Sequence, residues 1–214
     1  MSAKKPKPKT GKKPGAKPIV ITLNVDIIES EKIKRIAAAM RDGKVAVYPT
    51  DTVYGLGAVI SSEGGVKRIR RIKGNAPSKP LSIAVANLED IRKYAVISNA
   101  QMSFVAEQLP GPVTVILQKK PPVYSSSGIL LEGVPDYVSR RNIGIRIPDA
   151  RAVRRLIELT GPIITTSANK TGQQAPWAFN QVKVKADIMI DGGMCKYKKP
   201  SRIIDMTVGE ILRQ

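Results

Sequence analysis

The chain has no histidine in its 214 residues. Every mechanism built on imidazole is thereby excluded: Ser-His-Asp triads, Cys-His dyads, His-ligated zinc and His proton shuttles. A single cysteine, Cys195, excludes an intramolecular disulfide and a cysteine-only zinc site, and suits a reducing, cytoplasmic location. Two Phe and one Trp leave base stacking poorly supplied, although six Tyr remain. No apolar run approaches the roughly 18–20 residues that span a bilayer, so no membrane partner is expected. The basic N-terminus has no apolar segment and does not read as a secretory signal.

Acidic residues are also few: 17 against 36 Lys and Arg, a net charge of +19. That charge is uneven. Residues 1–18 hold seven lysines, four prolines and no acid, which predicts a disordered basic tail. Removing those seven charges leaves +12 on residues 19–214, read as one domain. Such a body expects anionic partners: nucleotide, phosphate or RNA. Generic solubilising charge is the plainer alternative.

Helical and strand patterns alternate along residues 19–214. Ile33, Ile36, Ala37 and Met40 form a helical stripe, with Ser30 as a possible cap and Gly43 as a stop. The run Lys44–Tyr48 reads as a buried strand. Val66, Ile69 and Ile72 mark a basic helix ending at Gly74. The run Leu81–Val85 reads as a strand, and Ser98 with Gln101 as a capping box. A Pro110-Gly111-Pro112 turn precedes a strand at Val113–Leu117. Residues 120–142 read as a long loop. A strand at Ile143–Ile147 precedes a helix carrying Ala152, Val153, Leu156 and Ile157, which Asp149 caps and Gly161-Pro162 stops. Further strands are expected at Ile163–Thr166, Ile188–Ile190 and Ile203–Ile204. The alternation predicts an α/β (α+β) sheet domain covered by helices.

Four segments are read as placing polar or cationic groups directly after an apolar strand, where open sheets hold ligands. Tyr48-Pro-Thr-Asp-Thr-Val-Tyr-Gly-Leu-Gly57 offers hydroxyls and a carboxylate at a rigid turn; it equally suits a Pro/Gly turn bonding its own backbone. Residues 68–79 carry five cations, 68, 70, 71, 73 and 79, suited to polyphosphate or to a solvated helix end. In Ile143-Gly-Ile-Arg146-Ile-Pro148, an arginine sits in an apolar strand, which is costly unless it meets a ligand anion or a structural ion pair. Ile163-Ile-Thr-Thr-Ser167-Ala-Asn169 opens a strand into hydroxyl and amide groups, and is neither a Walker A loop nor a dinucleotide fingerprint.

Together these segments resemble the YrdC-like L-threonylcarbamoyladenylate synthases. The resemblance rests on Pro49-Thr-Asp-Thr-Val-Tyr-Gly-Leu-Gly, Lys73-Gly with Pro80-Leu81, Leu109-Pro-Gly-Pro-Val-Thr114, Gly144-Ile-Arg-Ile-Pro148, Ser167-Ala-Asn169, and Asp191-Gly-Gly with Ser201, in that order. It covers residues 30–213 and matches the short form of the family. It implies a twisted mixed sheet flanked by helices around a cationic cavity. The implied reaction condenses L-threonine, bicarbonate and ATP to threonylcarbamoyl-AMP and pyrophosphate, with Mg2+ arriving on ATP. Partner enzymes of a threonylcarbamoyl-transferase complex would then modify tRNA.

Carried over position by position, Thr52, Arg146 and Ser201 match the threonine side. Lys73, Asn142, Thr165, Ser167, Asn169 and Arg213 match the nucleotide side. Asn75 stands where the family has a nucleotide-side arginine, and Lys79 is the cation nearest in sequence that is able to replace it. Lys198-Lys-Pro-Ser201-Arg202 stands where the family has Gly-x-x-Ser-Thr. No acidic cluster reads as a metal cage. The alternative is a non-enzymatic module for double-stranded RNA or tRNA. A carbamoyl-adenylate activity like that of hydrogenase-maturation carbamoyltransferases is a weaker third reading.

Overall fold

A computed structural model describes residues 17–74 and 79–214. The expected disordered tail falls almost wholly on residues 1–16, outside the described residues, as does Asn75. In chain order the elements are β1 (Ile19–Thr22), α1 (Ser30–Arg41), β2 (Ala46–Tyr48), β3 (Gly55–Gly57), α2 (Glu63–Lys73), β4 (Ile83–Ala84), α3 (Leu88–Tyr94) and α4 (Asn99–Gln108). They continue with β5 (Val113–Gln118), β6 (Val123–Tyr124), β7 (Leu130–Glu132), β8 (Asn142–Arg146), α5 (Arg151–Thr160), β9 (Ile163–Ile164) and β10 (Thr166–Ser167). A short 3-10 turn at Phe179–Gln181 precedes β11 (Ile188–Asp191), β12 (Arg202–Asp205) and β13 (Glu210–Arg213). No helix among the described residues is long and apolar enough to cross a membrane.

Two mixed sheets form the frame. One has the order β1-β11-β2-β3-β10, the other β13-β12-β5-β8-β4-β9. They meet where β9 runs into β10. Ile163 and Ile164 pair with β4, while Thr166 and Ser167 pair antiparallel with β3. The expected single strand at Ile163–Thr166 is therefore two strands in two sheets. Thr165 is the step between them, its N–H bonded to the Ser82 carbonyl at 2.8 Å.

Helices cover both faces. α1 and α5 pack on each other. The stripe Ile33, Ile36, Ala37 and Met40 is buried with Leu156, Ile157, Ile188 and Ile190. α2 buries Val66 and Ile69 against Leu56, Ile83 and Ile143. Gly74 ends α2 in the left-handed region at φ 67, a conformation glycine adopts without a Cβ clash. Ser98 and Gln101 make the expected capping box on α4.

Three local expectations are corrected. Ser30 is the first residue of α1, and Glu29 caps it without a side-chain bond. Asp149 does not cap α5; Ala150 holds that position, and the Asp149 carboxylate accepts from Lys196 Nζ at 3.3 Å. Residues 120–142 are not all loop, because β6 and β7 pair antiparallel in a hairpin of their own.

Candidate active site at the seam of the two sheets

The turn from β2 to β3 is held from within. Thr50 Oγ1 donates to the Val53 carbonyl at 2.7 Å and accepts the Thr52 N–H at 3.1 Å. Its only proton is thereby used, so the 3.0 Å contact between the Thr50 and Thr52 hydroxyls has Thr52 as donor. Thr52 Oγ1 also accepts from Arg146 Nη1 at 2.8 Å. It has one lone pair left and no proton to give. It therefore suits a ligand that donates, such as an ammonium group.

Arg146 comes from the end of β8 and is 5% exposed. Its Nη2 donates to Asp51 Oδ1 at 2.6 Å and, more weakly, to the Gly111 carbonyl at 3.5 Å. Burial is the larger influence on Asp51 and pushes its carboxyl up, while the Arg146 guanidinium pulls it down. The anion expected to meet Arg146 is thus, in part, a structural one.

The cations of residues 68–79 divide by role. Arg68 pairs with Asp187 at 2.7 Å. Arg70 is buried and donates to the Tyr137 carbonyl at 2.9 Å and to the carbonyls of Val138 and Lys79. Arg71 is exposed. Lys73 gives its ammonium protons to the Ser167 carbonyl at 2.7 Å, the Asn169 carbonyl at 2.9 Å and Asn169 Oδ1 at 3.2 Å. It braces the turn after β10. Burial, then the charge of Lys79, brings its pKa from 10.5 down to about 8.

Ser201 immediately precedes β12 and Arg213 closes β13, and the two strands pair antiparallel. Arg213 Nε donates to the Ser201 carbonyl at 2.7 Å, and its Nη2 to Ser201 Oγ at 3.3 Å. Ser201 Oγ lies 2.8 Å from Thr114 Oγ1 on β5. Burial and then Arg146 lower the Arg213 pKa, so the two guanidinium groups repel one another across the site.

These groups surround a cavity of about 300 Å3 at the sheet seam. Its walls include Thr52, Tyr54, Lys79, Ser82, Thr114, Arg146, Thr165, Thr166, Ser167, Ser201 and Arg213. A second cavity of about 250 Å3 shares Lys79, Ser82, Thr165, Thr166 and Ser167 with it, and adds Lys73 and Asn169. The expected threonine-side residues thus line the first chamber, together with Arg213. Lys79, Thr165 and Ser167 form the common wall.

Asn142 does not line the seam cavity. It lies at the opposite end of β8 from Arg146, about 13 Å away at ~3.3 Å per residue. There it lines a separate cleft with Lys119, Arg140 and Arg141, with Nδ2 3.5 Å from Thr207 Oγ1. Sequence reasoning assigned no role to Ser82, Thr114 or Thr166. Thr114 had a signal, since it ends the Leu109-Pro-Gly-Pro-Val-Thr run. Thr166 had one as a hydroxyl of the Ile163–Asn169 segment, and Ser82 had none beyond its place next to an apolar strand.

Among the described residues no group of three acidic, Cys or His side chains comes together. The chamber offers hydroxyls and cations.

Comparison with known proteins places the chain among relatives of one family. A family model described as "Sua5_yciO_yrdC: Telomere recombination" matches residues 38–214. A protein of Methanocaldococcus jannaschii, "Putative threonylcarbamoyl-AMP synthase", is 38% identical over 175 residues, 80% of this chain and 78% of that protein. The crystal structure of P. abyssi Sua5 complexed with L-threonine superimposes with a TM-score of 0.75 at 33% identity. That match covers 88% of this chain and 54% of the other, so this chain spans about half the length of the P. abyssi protein. E. coli YciO gives a TM-score of 0.75 over 92% of this chain and 97% of its own, at 24% identity, a likeness of fold.

Proposed function

The chain belongs to the Sua5/YciO/YrdC family, and from that premise we propose that it is an L-threonylcarbamoyladenylate synthase. It condenses L-threonine, bicarbonate and ATP into threonylcarbamoyl-AMP and pyrophosphate. The observation that carries the reading is the seam cavity. It presents Arg146, Arg213 and Lys79 with a row of hydroxyls and no general base built on histidine.

The chemistry needs little else. Threonine's amine and bicarbonate give a carbamate and water, and a carbamate oxygen attacks the α-phosphorus as pyrophosphate leaves. Positioning and charge neutralisation supply most of such a barrier. Arg146 suits the threonine carboxylate as a planar fork. Thr52 offers a lone pair to the ammonium. Arg213 anchors Ser201, so the Thr114–Ser201 hydroxyl pair keeps one spare proton for a substrate oxygen. Lys79 and the hydroxyls of Thr165 and Ser167 lie on the phosphate side. Lys73 spends its donors on the Ser167–Asn169 turn and acts there by holding it. Mg2+ would enter on the ATP phosphates and neutralise their charge.

The product would serve tRNA threonylcarbamoylation in the cytoplasm, by way of a threonylcarbamoyl-transferase complex. The basic residues 1–18 would help to hold RNA nearby. The test is pyrophosphate release from ATP by the purified chain. Release that requires both threonine and bicarbonate is expected; ATP consumption indifferent to threonine contradicts the reading.

A further inference from the structure

The Asp51–Arg146 pair is poorly built for stability alone. Removing two charges from water is repaid only when their polar atoms are well satisfied. Here they are not. Three buried side-chain polar atoms among the described residues have no partner, and two of them are Asp51 Oδ2 and Arg146 Nε. A carboxylate turned side-on to the guanidinium would satisfy both at once. Asp51 instead meets Arg146 through Oδ1 alone.

The backbone explains why it does not turn. The Asp51 carbonyl accepts the Tyr197 N–H at 2.8 Å, and the Thr50 hydroxyl holds the residues on either side of it. Arg146 is consequently fixed at two corners, Nη2 by Asp51 and Nη1 by Thr52. Of a guanidinium's five N–H groups, Nε–H and one other have no partner. The arrangement sacrifices its own hydrogen bonds and keeps a rigid fork with donors to spare.

We propose that Asp51 is a positioning residue for substrate binding: it pins the Arg146 fork so that the remaining Nη1 N–H engages the carboxylate of the amino-acid substrate. This rests on the synthase reading and deepens its threonine side. Asp51 itself touches no reacting atom in this scheme. It acts by orientation and by offsetting a buried positive charge before substrate arrives.

The test is steady-state kinetics of two variants beside the wild type, with folding checked by thermal unfolding. Asp51→Asn keeps an oxygen acceptor but loses the charge. Asp51→Glu keeps the charge but moves the anchor by one methylene. In both, the threonine KM should rise by about tenfold or more, while kcat and the ATP KM stay within about threefold. A merely structural role would not separate the two substrates. A folded Asp51→Asn enzyme whose threonine KM stays within about twofold of the wild type overturns the proposal, as does a parallel rise of both KM values. Where Asp51→Asn fails to fold, Asp51→Glu decides by the same criteria. Failure of both to fold assigns the pair to stability and overturns the proposal as well. Wild-type protein without threonine-dependent pyrophosphate release would defeat the synthase reading instead, so the two failures are distinguishable.

Discussion

At the scale of single residues, Lys73 links structure to proton balance. Its pKa in the folded protein is about 8, below the ordinary 10.5, because it is buried and faces Lys79. Below pH 8 folded and unfolded forms both hold the proton, and the folded form bears the full cost of the buried cation. Between about 8 and 10.5 the unfolded chain binds more protons than the folded one, so stability from this group rises with pH and then levels off. A polyphosphate placed beside Lys79 should reverse the shift. ATP binding at pH 8–9 is therefore expected to take up a fraction of a proton. Calorimetry in two buffers of different ionisation enthalpy measures it; proton release on binding contradicts this placement of the phosphates. The sequence made Lys73 conspicuous as a cation near Pro80-Leu81. It could not show that the ammonium is spent on the Ser167–Asn169 turn, because that contact joins residues 94 apart or more. Asp51 was visible only as a turn carboxylate, for the same reason: its partner lies 95 residues away.

At the scale of elements, local rules carried the helices. The 33-36-37-40 stripe, the Ser98–Gln101 box and the Gly74 stop are set by spacing and capping, which neighbouring residues decide. Short strands were less legible. Gly55-Leu-Gly57 reads as a turn by composition, yet it is β3, paired with both β2 and β10. Its glycines are there for clearance. A Cβ on Gly57 would stand 2.7 Å from the Ile164 carbonyl oxygen and 2.7 Å from the buried Tyr48 ring. Backbone on one side and a fixed ring on the other cannot both yield. Gly57→Ala should thus cost about 1–3 kcal/mol, read as a lowered thermal midpoint. Gly64→Ala, on α2 with nothing within 4 Å, should be neutral or stabilising by up to ~1 kcal/mol. Equal midpoints for the two variants would contradict the clearance argument. Lys198 gives a related lesson. It stands where the family resemblance expects glycine, and its backbone is left-handed at φ 55. The ammonium lies 5.3 Å from the Trp177 ring centre, a contact that offsets part of that strain.

At the scale of the whole molecule, the net charge of +19 resolves into distinct uses. Arg68 and Arg70 hold elements together. Lys79, Arg146 and Arg213 face the seam cavity. The motifs marked segments that line the cavity, because each but Lys73-Gly74, which ends α2, flanks a strand of one of the two sheets. The sequence did not foretell that they converge on a join between sheets. The run Ile163-Ile-Thr-Thr166 reads the same whether it stays in one sheet or changes sheets at Thr165. That join is what gathers Thr52, Arg146, Ser167 and Ser201 around one chamber. The central claim is that this chamber makes a carbon–nitrogen bond to bicarbonate and then a carbon-oxygen-phosphorus link to AMP. The most direct measurement incubates the purified chain with threonine, carbon-labelled bicarbonate and ATP labelled at the α-phosphorus, followed by separation of nucleotides. The account predicts a single product carrying both labels, formed only when threonine is present. Labelled AMP or ADP without the carbon label would contradict it.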